Sequence, residues 1–379
     1  MRDSDEIVRY GPEFRDQVLR LLVHGLSPDA SRNDAYMRWK HERNPYRRDP
    51  LIFLARRGRE VVGMRSFLAT EWQAGSPPET FGALYADDFV IAPEHRNRGV
   101  APRIMETAMR ELRDEPERLA INLSAGPVTL LVSLAGGWKS AGPVRPVGRR
   151  SRRAKALELA ARLGRRMLRR VYPARIMAAA AGTLAPFSRL DRAISRRGGR
   201  LAPNVVAQRE PRIEAMADLV ARLPFDGRVR HVRDARYFSW RFRNPTRDYR
   251  FLFWEGERLE GYLVLGTPLA DPRPTGRVNI VDWEARDESV REDLLRAALA
   301  EGVFPELVTW TATLGPDPRR LLQESGFEPV DAHRTARGIP CILVRPIRQE
   351  EPGQEWIVSG RRLLDMANWD LRMIYSMHG

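Results

Sequence analysis

The stretch 90-VIAPEHRNRGVAPRIMETAMREL-112 decides how this chain is read. It passes from a short apolar strand through a proline and an arginine-rich turn, with one glycine, into a helix. Pro93 has no N–H with which to continue a ladder, so the strand ends there. Gly99 has no Cβ, so a ligand can come close to the backbone. Behind it, Ile104, Met105, Ala108, Met109 and Leu112 recur at helical spacing, a stripe that seats the helix on a sheet. The N-terminus of such a helix offers unpaired N–H groups and a partial positive charge, a natural seat for a phosphate or pyrophosphate. Arg96, Arg98 and Arg103 add charge around it.

Outward from this stretch the chain repeats itself. The segment 34-DAYMRWKHERNPYRRDPLIFLARRGREVVGMRSFL-68 is echoed by 234-DARYFSWRFRNPTRDYRFLFWEGERLEGYLVLG-266. Tyr36, Trp39, Asn44, Pro45 and Gly63 match Tyr237, Trp240, Asn244, Pro245 and Gly261, at offsets between 198 and 201 residues. A repeat of this length means two related domains and not a solenoid of short units. The periodicity predicts a mixed α/β order in each copy. In the first copy, strands are expected near 51–56, 61–70 and 82–92, a helix over about 100–113, a strand at "LAINLS" and a short helix before "GGWKS". In the second, helices are expected at 212–223, 288–301 and 317–325, with strands at 250–254, 259–265, 277–283 and 306–312. Gly137 and Gly326 are expected to stop the last helix of each copy. Trp39 and Trp240 read as core residues.

The net charge is +15, yet residues 148–200 alone carry sixteen Lys and Arg against Glu158 and Asp191, leaving the remainder near neutral. A uniformly basic nucleic-acid binder is thereby the wrong class, and nucleic acid is not an expected partner. Within the arm, Leu157, Ala160, Ala161, Leu163, Met167, Leu168 and Val171 recur at helical spacing among arginines. Such a basic amphipathic helix can lie on an anionic membrane surface, pack on the protein, or hold an acidic polymer or RNA; the first two readings are preferred. Cys341, the one cysteine, reads as a buried strand residue in "IPCILV" and fits a reducing cytoplasm. The six histidines show no metal spacing, so no metal is expected. The charged start "MRDSDEIVRYG" reads against a secretory signal, and no run approaches the ~18 apolar residues of a spanning helix. The expected location is cytoplasmic, peripheral at the inner membrane surface if the arm lies there.

The pattern Arg96-x-x-Gly99-x-Ala101, behind an apolar strand and Pro93 and ahead of "GGW" at 136–138, resembles the acetyl-coenzyme A loop of the GNAT N-acetyltransferase superfamily. The resemblance implies an α/β fold with mixed sheets in two tandem GNAT-like domains, joined by a basic helical insertion. It implies that Arg96, Asn97, Arg98, Gly99, Val100 and Ala101 hold the pyrophosphate of acetyl-CoA. Phe89, Val90 and Ile91 would bind its pantetheine arm, with Asn122 and Ser124 beside the cleft. In many relatives a carboxylate on the strand before the loop acts as base, which here means Asp88 or Asp87, Asp88 being preferred. Adjacent strand residues face opposite ways, but a bulge common at this place in the family blocks a parity argument. The family's usual tyrosine acid falls at Ser133 here and at Leu322 in the second copy, so Ser133, Tyr85 or water has to supply that proton. The second copy reads "VDWEARDESVREDLL" and lacks the loop motif; Asp287, Glu288 and Glu292 suit a helix start but repel pyrophosphate. One working site is expected, as in similar tandem GNAT proteins, the enhanced-intracellular-survival aminoglycoside acetyltransferases and mycothiol synthase.

The expected organisation is a GNAT domain over 1–147, the insertion over 148–202, a degenerate GNAT-like domain over 203–345, and a C-terminal segment, 346–379, docked on the body. The expected activity is acetyl transfer from acetyl-CoA to a small-molecule amine, such as an amino sugar or another cell-envelope or polysaccharide precursor. Two alternatives stay open: a Fem-type transferase that takes aminoacyl-tRNA, and a non-catalytic CoA-binding module.

Overall fold

The computed structural model describes residues 5–151, 187–269, 277–301, 304–330, 340–347 and 354–377, and the two copies of the repeat build two mixed sheets. In the first, β1 (Glu6–Arg9), β2 (Leu51–Arg57), β3 (Glu60–Ala74) and β4 (Glu79–Ile91) are antiparallel neighbours, and β5 (Leu119–Asn122) joins β4 in parallel. Helices α1 (Arg15–Leu22) and α2 (Ala30–Met37) cover one face, α2 continuing as a π-helical turn, Arg38–Glu42. On the other face lie α3 (Val100–Glu111) and α4 (Pro127–Ala135). The strands β6 (Lys139–Pro143) and β7 (Pro146–Arg150) follow.

The second half begins with α5 (Ser188–Arg197), β8 (Arg200–Ala202), β9 (Val205–Gln208), α6 (Ile213–Arg222), β10 (Arg230–His231) and α7 (Ala235–Arg241). It continues through β11 (Arg247–Glu255), β12 (Leu259–Pro268), β13 (Arg277–Ala285), α8 (Glu288–Glu301), β14 (Glu306–Trp310), α9 (Pro316–Glu324), β15 (Glu328–Pro329) and β16 (Cys341–Pro346). As in the first sheet, the one parallel strand pair among the described residues is internal, β13 with β14. The apolar stripe of the basic arm, 157–171, lies outside the described residues. Cys341, expected to be buried, opens β16 half-buried.

Neither sheet is made from one contiguous segment. β16 inserts between β5 and β6 of the first sheet, and β7 inserts between β14 and β15 of the second. Each half therefore lends the other a strand. Register is fixed on both: Leu343 faces Asn122 and Val344 faces Ile121, while Leu307 faces Arg149 and Val308 faces Gly148. Ile342, Leu343 and Val344 are fully buried there.

The repeated residues turn out to be joints. Trp39 and Trp240 stack at 4.8 Å with planes 5° apart. Each indole N–H donates to the other's backbone carbonyl, at 2.8 and 2.9 Å, so the halves meet about a local pseudo-two-fold axis. Gly63 and Gly261 let a helix close on its sheet: a Cβ would lie 3.1 Å from Ile104 at the first and 2.4 Å from Val290 at the second. Gly137 and Gly326 take φ of +83° and +81° just past α4 and α9, which explains both stops. The C-terminal segment threads between the halves. Trp369 is fully buried against Trp72, and Tyr375 packs on Trp72 and His231. Arg241 donates to the carbonyls of Ile374 and Ser376, both at 2.9 Å, and Tyr237 donates to Ile374.

Candidate functional site

The site begins where two parallel strands part. β4 and β5 pair only at Ala83–Leu119, Leu84–Ala120 and Tyr85–Ile121. Beyond Tyr85 no described strand pairs with β4 on that side, while its other edge stays bonded to β3. The cleft thus has a strand edge along residues 89–91 that no described strand covers, of the kind an extended amide-bearing ligand can bond. Phe89 and Ile91 pack toward α3, whereas Val90 is buried against α1.

At the end of β4 the chain makes the turn that opened the sequence. Arg96 Nε donates to the Ile91 carbonyl at 3.1 Å, tying the loop to the strand. Asn97 and Gly99 take φ of +59° and +76°. Gly99 is the N-cap of α3, with no side chain bonded to the helix amides and no acid in the first turn. A Cβ at Gly99 would meet nothing within 4 Å, so the amide cradle is open. Arg96, Asn97, Arg98 and Gly99 are exposed, Val100 is buried and Ala101 half-buried. Among the described residues neither Arg96 nor Arg98 has a carboxylate partner, while Arg103 turns instead to Asp5. His95, in the same loop, is buried. Uncapped amides, a positive helix end and two arginines without a carboxylate partner are features that suit an anion.

The second domain closes the same place. Asp287 accepts from the Val290 N–H at 3.0 Å and from the Ser289 hydroxyl at 2.7 Å. The Ser289 hydrogen bond leads the causes that hold the Asp287 carboxyl down at about 2. Its own carboxylate thereby sits where a phosphate would go. The acids on the facing strand are occupied as well: Arg233 reaches Asp282 at 2.8 Å and Glu284 at 2.6 Å, and Arg372 of the C-terminal segment reaches Glu284 at 3.0 Å. Burial works to raise Glu284, but Arg372 and Arg233 outweigh it and hold the group down at about 2.

In the first domain the two candidate aspartates face one another's partner. Asp88 is the bulged residue of β4, at φ +44°, where the register with β3 slips between Arg65 and Ser66. The bulge removes the alternation that would have sent the neighbours to opposite faces. Both carboxylates therefore reach Lys40 Nζ, Asp87 at 2.8 Å and Asp88 at 2.6 Å. Lys40 is fully buried and also donates to Tyr36 Oη at 3.1 Å. Ser66 Oγ donates to Asp88 at 3.1 Å, and Ser124 Oγ bridges from β5 to Asp87 at 2.9 Å. Asn122 accepts the Ser124 N–H at 2.8 Å, so it positions Ser124 and itself stays buried. Burial alone would raise Asp88, but Lys40 and His41 overcome it and hold its carboxyl well below the usual carboxylate range. Lys40 stays charged, since the two carboxylates outweigh the burial that would lower it.

Tyr85 stands at the vertex of the cleft, the last β4 residue paired with β5. It is buried, and its hydroxyl lies by Ser124 and Ser376. Burial first, and Asp87 second, push the phenol up to about 12, so it keeps its proton. Ser133 is also fully buried, on α4, but its hydroxyl has no partner among the described residues, and no hydrogen bond joins it to the aspartates. Its carbonyl accepts the Trp138 N–H, as Leu322 accepts from Phe327 in the second copy, a structural turn common to both. Lys40, Tyr36, His41 and Arg65 escaped sequence reading because they lie far from Asp87 in the chain. The signal was a lysine next to the repeated tryptophan and four residues after the repeated tyrosine. Among the described residues no group of His, Cys, Asp and Glu gathers as metal ligands, and no helix is long and apolar enough to cross a membrane.

Residues 7–129 match the family model of the acetyltransferase (GNAT) domain. No curated protein matches the sequence. Among solved structures, the chain is similar to a GCN5-related N-acetyltransferase from Anabaena variabilis, at TM-score 0.57 and 12% identity over 91% of this chain and 73% of that one. It is similar to another from Kribbella flavida, at 0.53 and 16% over 90% and 72%. A tandem GNAT protein from the clavulanic acid biosynthesis pathway aligns at 0.51 and 13% over 92% of this chain and all of that one. Residues 7–129 thus match a GNAT domain, and the chain as a whole shares the fold of a tandem GNAT protein.

Proposed function

We propose that this chain, with a GNAT domain matched over residues 7–129 and a tandem GNAT fold, is an acetyltransferase whose first domain moves an acetyl group from acetyl-coenzyme A to a primary amine on a small molecule. The observation that carries this reading is the open, uncapped α3 N-terminus behind Gly99, set at the mouth of an unpaired strand edge. The amides of residues 99–101 and the guanidinium groups of Arg96 and Arg98 would hold the pyrophosphate, and the β4 edge at Phe89–Ile91 the pantetheine amides. The capped α8 leaves the second domain without such a seat.

In the transfer, the amine nitrogen bonds to the thioester carbon, the C–S bond breaks, and the sulfur takes a proton. Tyr85 Oη is the donor we favour, because its proton is retained and it stands at the vertex of the cleft. Asp88 is a weak base at neutral pH when Lys40 holds it ionised. We therefore assign Asp87, Asp88 and Lys40 the role of a fixed charge cluster that positions Ser124 and Tyr36, with the amine proton leaving through water. The acceptor class we favour is an amino sugar or another cell-envelope or polysaccharide precursor; the basic arm, carrying most of the net charge, fits a place at an anionic surface.

A second reading, a CoA-binding module without turnover, is favoured by the same locked aspartate pair. Calorimetric titration of acetyl-CoA into the wild type and Gly99→Glu, followed by thiol release with an amine panel, separates them. One equivalent bound by wild type and none by the folded variant, with thiol release, supports the transferase. Binding without release on any amine supports the module. No binding by the wild type overturns both and returns weight to a tRNA-dependent transferase.

A further inference from the structure

Where the halves meet, a pocket of about 540 Å³ opens on the pseudo-two-fold axis, and none of its lining residues belongs to the β4 edge or the α3 start. Its floor is the stacked pair Trp39 and Trp240, and its walls carry Arg38 and Arg43 from one half and Arg236 and Arg243 from the other. Against four arginines the lining holds one acid, Asp34. Two of the four are engaged. Arg38 pairs with Asp34 at 2.9 Å and Arg236 with Glu71 at 2.7 Å. Among the described residues Arg43 and Arg243 have no carboxylate partner, and the repeat brings them to equivalent places on either side of the axis.

Their position explains how the pocket tolerates this charge. Arg43 is the C-cap of the π-helical turn, and Arg243 follows the C-cap of α7, so both lie at carbonyl ends of helices, where a cation is favoured. That interaction offsets repulsion but leaves the guanidinium forks free, and such forks match phosphate and carboxylate oxygens. The tryptophans are buried and bonded to each other, so they shape the floor and offer no face for stacking.

We propose that this pocket is a second ligand site, which takes a small polyanion with charge at both ends, of the chemistry of pyrophosphate or a dicarboxylate. The two free arginines grip its ends across the axis. Lys40 directly follows Trp39, so an occupant rests on the opposite face of the turn that holds the aspartate pair. The inference does not depend on acetyl transfer.

The test uses the full chain carrying Gly99→Glu, in which the α3 seat is blocked, and inorganic pyrophosphate as the probe. Calorimetry at low salt should show one equivalent bound, at least tenfold weaker after Arg43→Ser and Arg243→Ser together, with each single substitution giving part of the loss. Tryptophan fluorescence should change on binding in the first protein only. Both arginines are exposed, and matching circular dichroism spectra would show that the variants fold. Binding that the two substitutions leave unchanged would place the probe elsewhere on the basic chain and overturn the proposal, as would no binding in the Gly99→Glu chain.

Discussion

Replacing Lys40 with methionine removes the one ammonium that serves two buried carboxylates while keeping the length of the side chain. Lys40 has no exposed side-chain surface, and Asp87 and Asp88 show 7% and 8%. Breaking a buried ion pair by deleting one partner costs about 3–5 kcal/mol, because the remaining charge is left without its counterion. Here two charges are left on adjacent residues, so the upper part of that range is expected. The pH dependence has a definite sign. In the wild type Asp88 is depressed, so its contribution is complete above the unfolded carboxylate value of about 3.9 and is lost only as the pH falls below it. Lys40 is raised, so its contribution is lost only as the pH climbs past about 10.5. Neither changes between pH 5 and 8. In Lys40→Met, burial and mutual repulsion lift the carboxylates above their unfolded value, so the protein loses stability as the pH rises.

The assay is urea unfolding of wild type and variant at pH 5, 6 and 8, read as the difference between them, which cancels the titration of every remote group. The deficit should be largest at pH 8 and shrink toward pH 5. Adding Asp88→Asn to Lys40→Met should recover at least half of it, since one of the two stranded charges is gone. A deficit below about 1 kcal/mol at pH 8, or one that does not shrink on acidification, refutes the reasoning.

Tyr85→Phe should lower kcat by about 10²-fold in steady-state thiol release, with KM for acetyl-CoA within about twofold, the pattern of a lost proton donor. Trp240→Ala deletes half of the stacked joint and leaves the Trp39 carbonyl without its indole donor; a cost of about 3–5 kcal/mol is expected in urea unfolding. Asp287→Ala should cost about 0.5–2 kcal/mol as a lost cap, and calorimetry should still count one acetyl-CoA per chain. Gly261→Ala should destabilise by about 1–3 kcal/mol, since its Cβ would lie 2.4 Å from Val290, and Gly63→Ala should cost less, the nearest contact being 3.1 Å.

Most of the scaffold was legible because its signals are local. The turn at residues 93–99 follows from proline, glycine and an apolar stripe at fixed spacing, and the α3 seat falls where those residues place it. The acids at the start of α8 were legible for the same reason, although the sequence could not show that Asp287 bonds the helix amides itself. What escaped is non-local. That β16 crosses to the first sheet and β7 to the second depends on pairings between residues such as Leu307 and Arg149, or Leu343 and Asn122, far apart in the chain, which leave no period in it. Lys40 escaped likewise: a lone lysine in a helix reads as a solvated residue until the bulge at Asp88 turns two carboxylates toward it.

The repeat also divides the residues by what duplication preserved. Trp39 and Trp240, Gly63 and Gly261, and the turns after α4 and α9 keep their roles, because each serves packing that both halves need. The charged positions parted. Lys40 neutralises the aspartate pair, while its counterpart Arg241 holds the carbonyls of the C-terminal segment. The first helix seat stays open behind Gly99, and the second is closed by Asp287. A domain whose helix seat is closed can spend its strand acids on internal ion pairs, as Asp282 and Glu284 do with Arg233 and Arg372. With each sheet completed by a strand of the other, such a domain cannot be dispensed with. It completes the fold and supplies one wall of the joint, with Trp240 and Arg243.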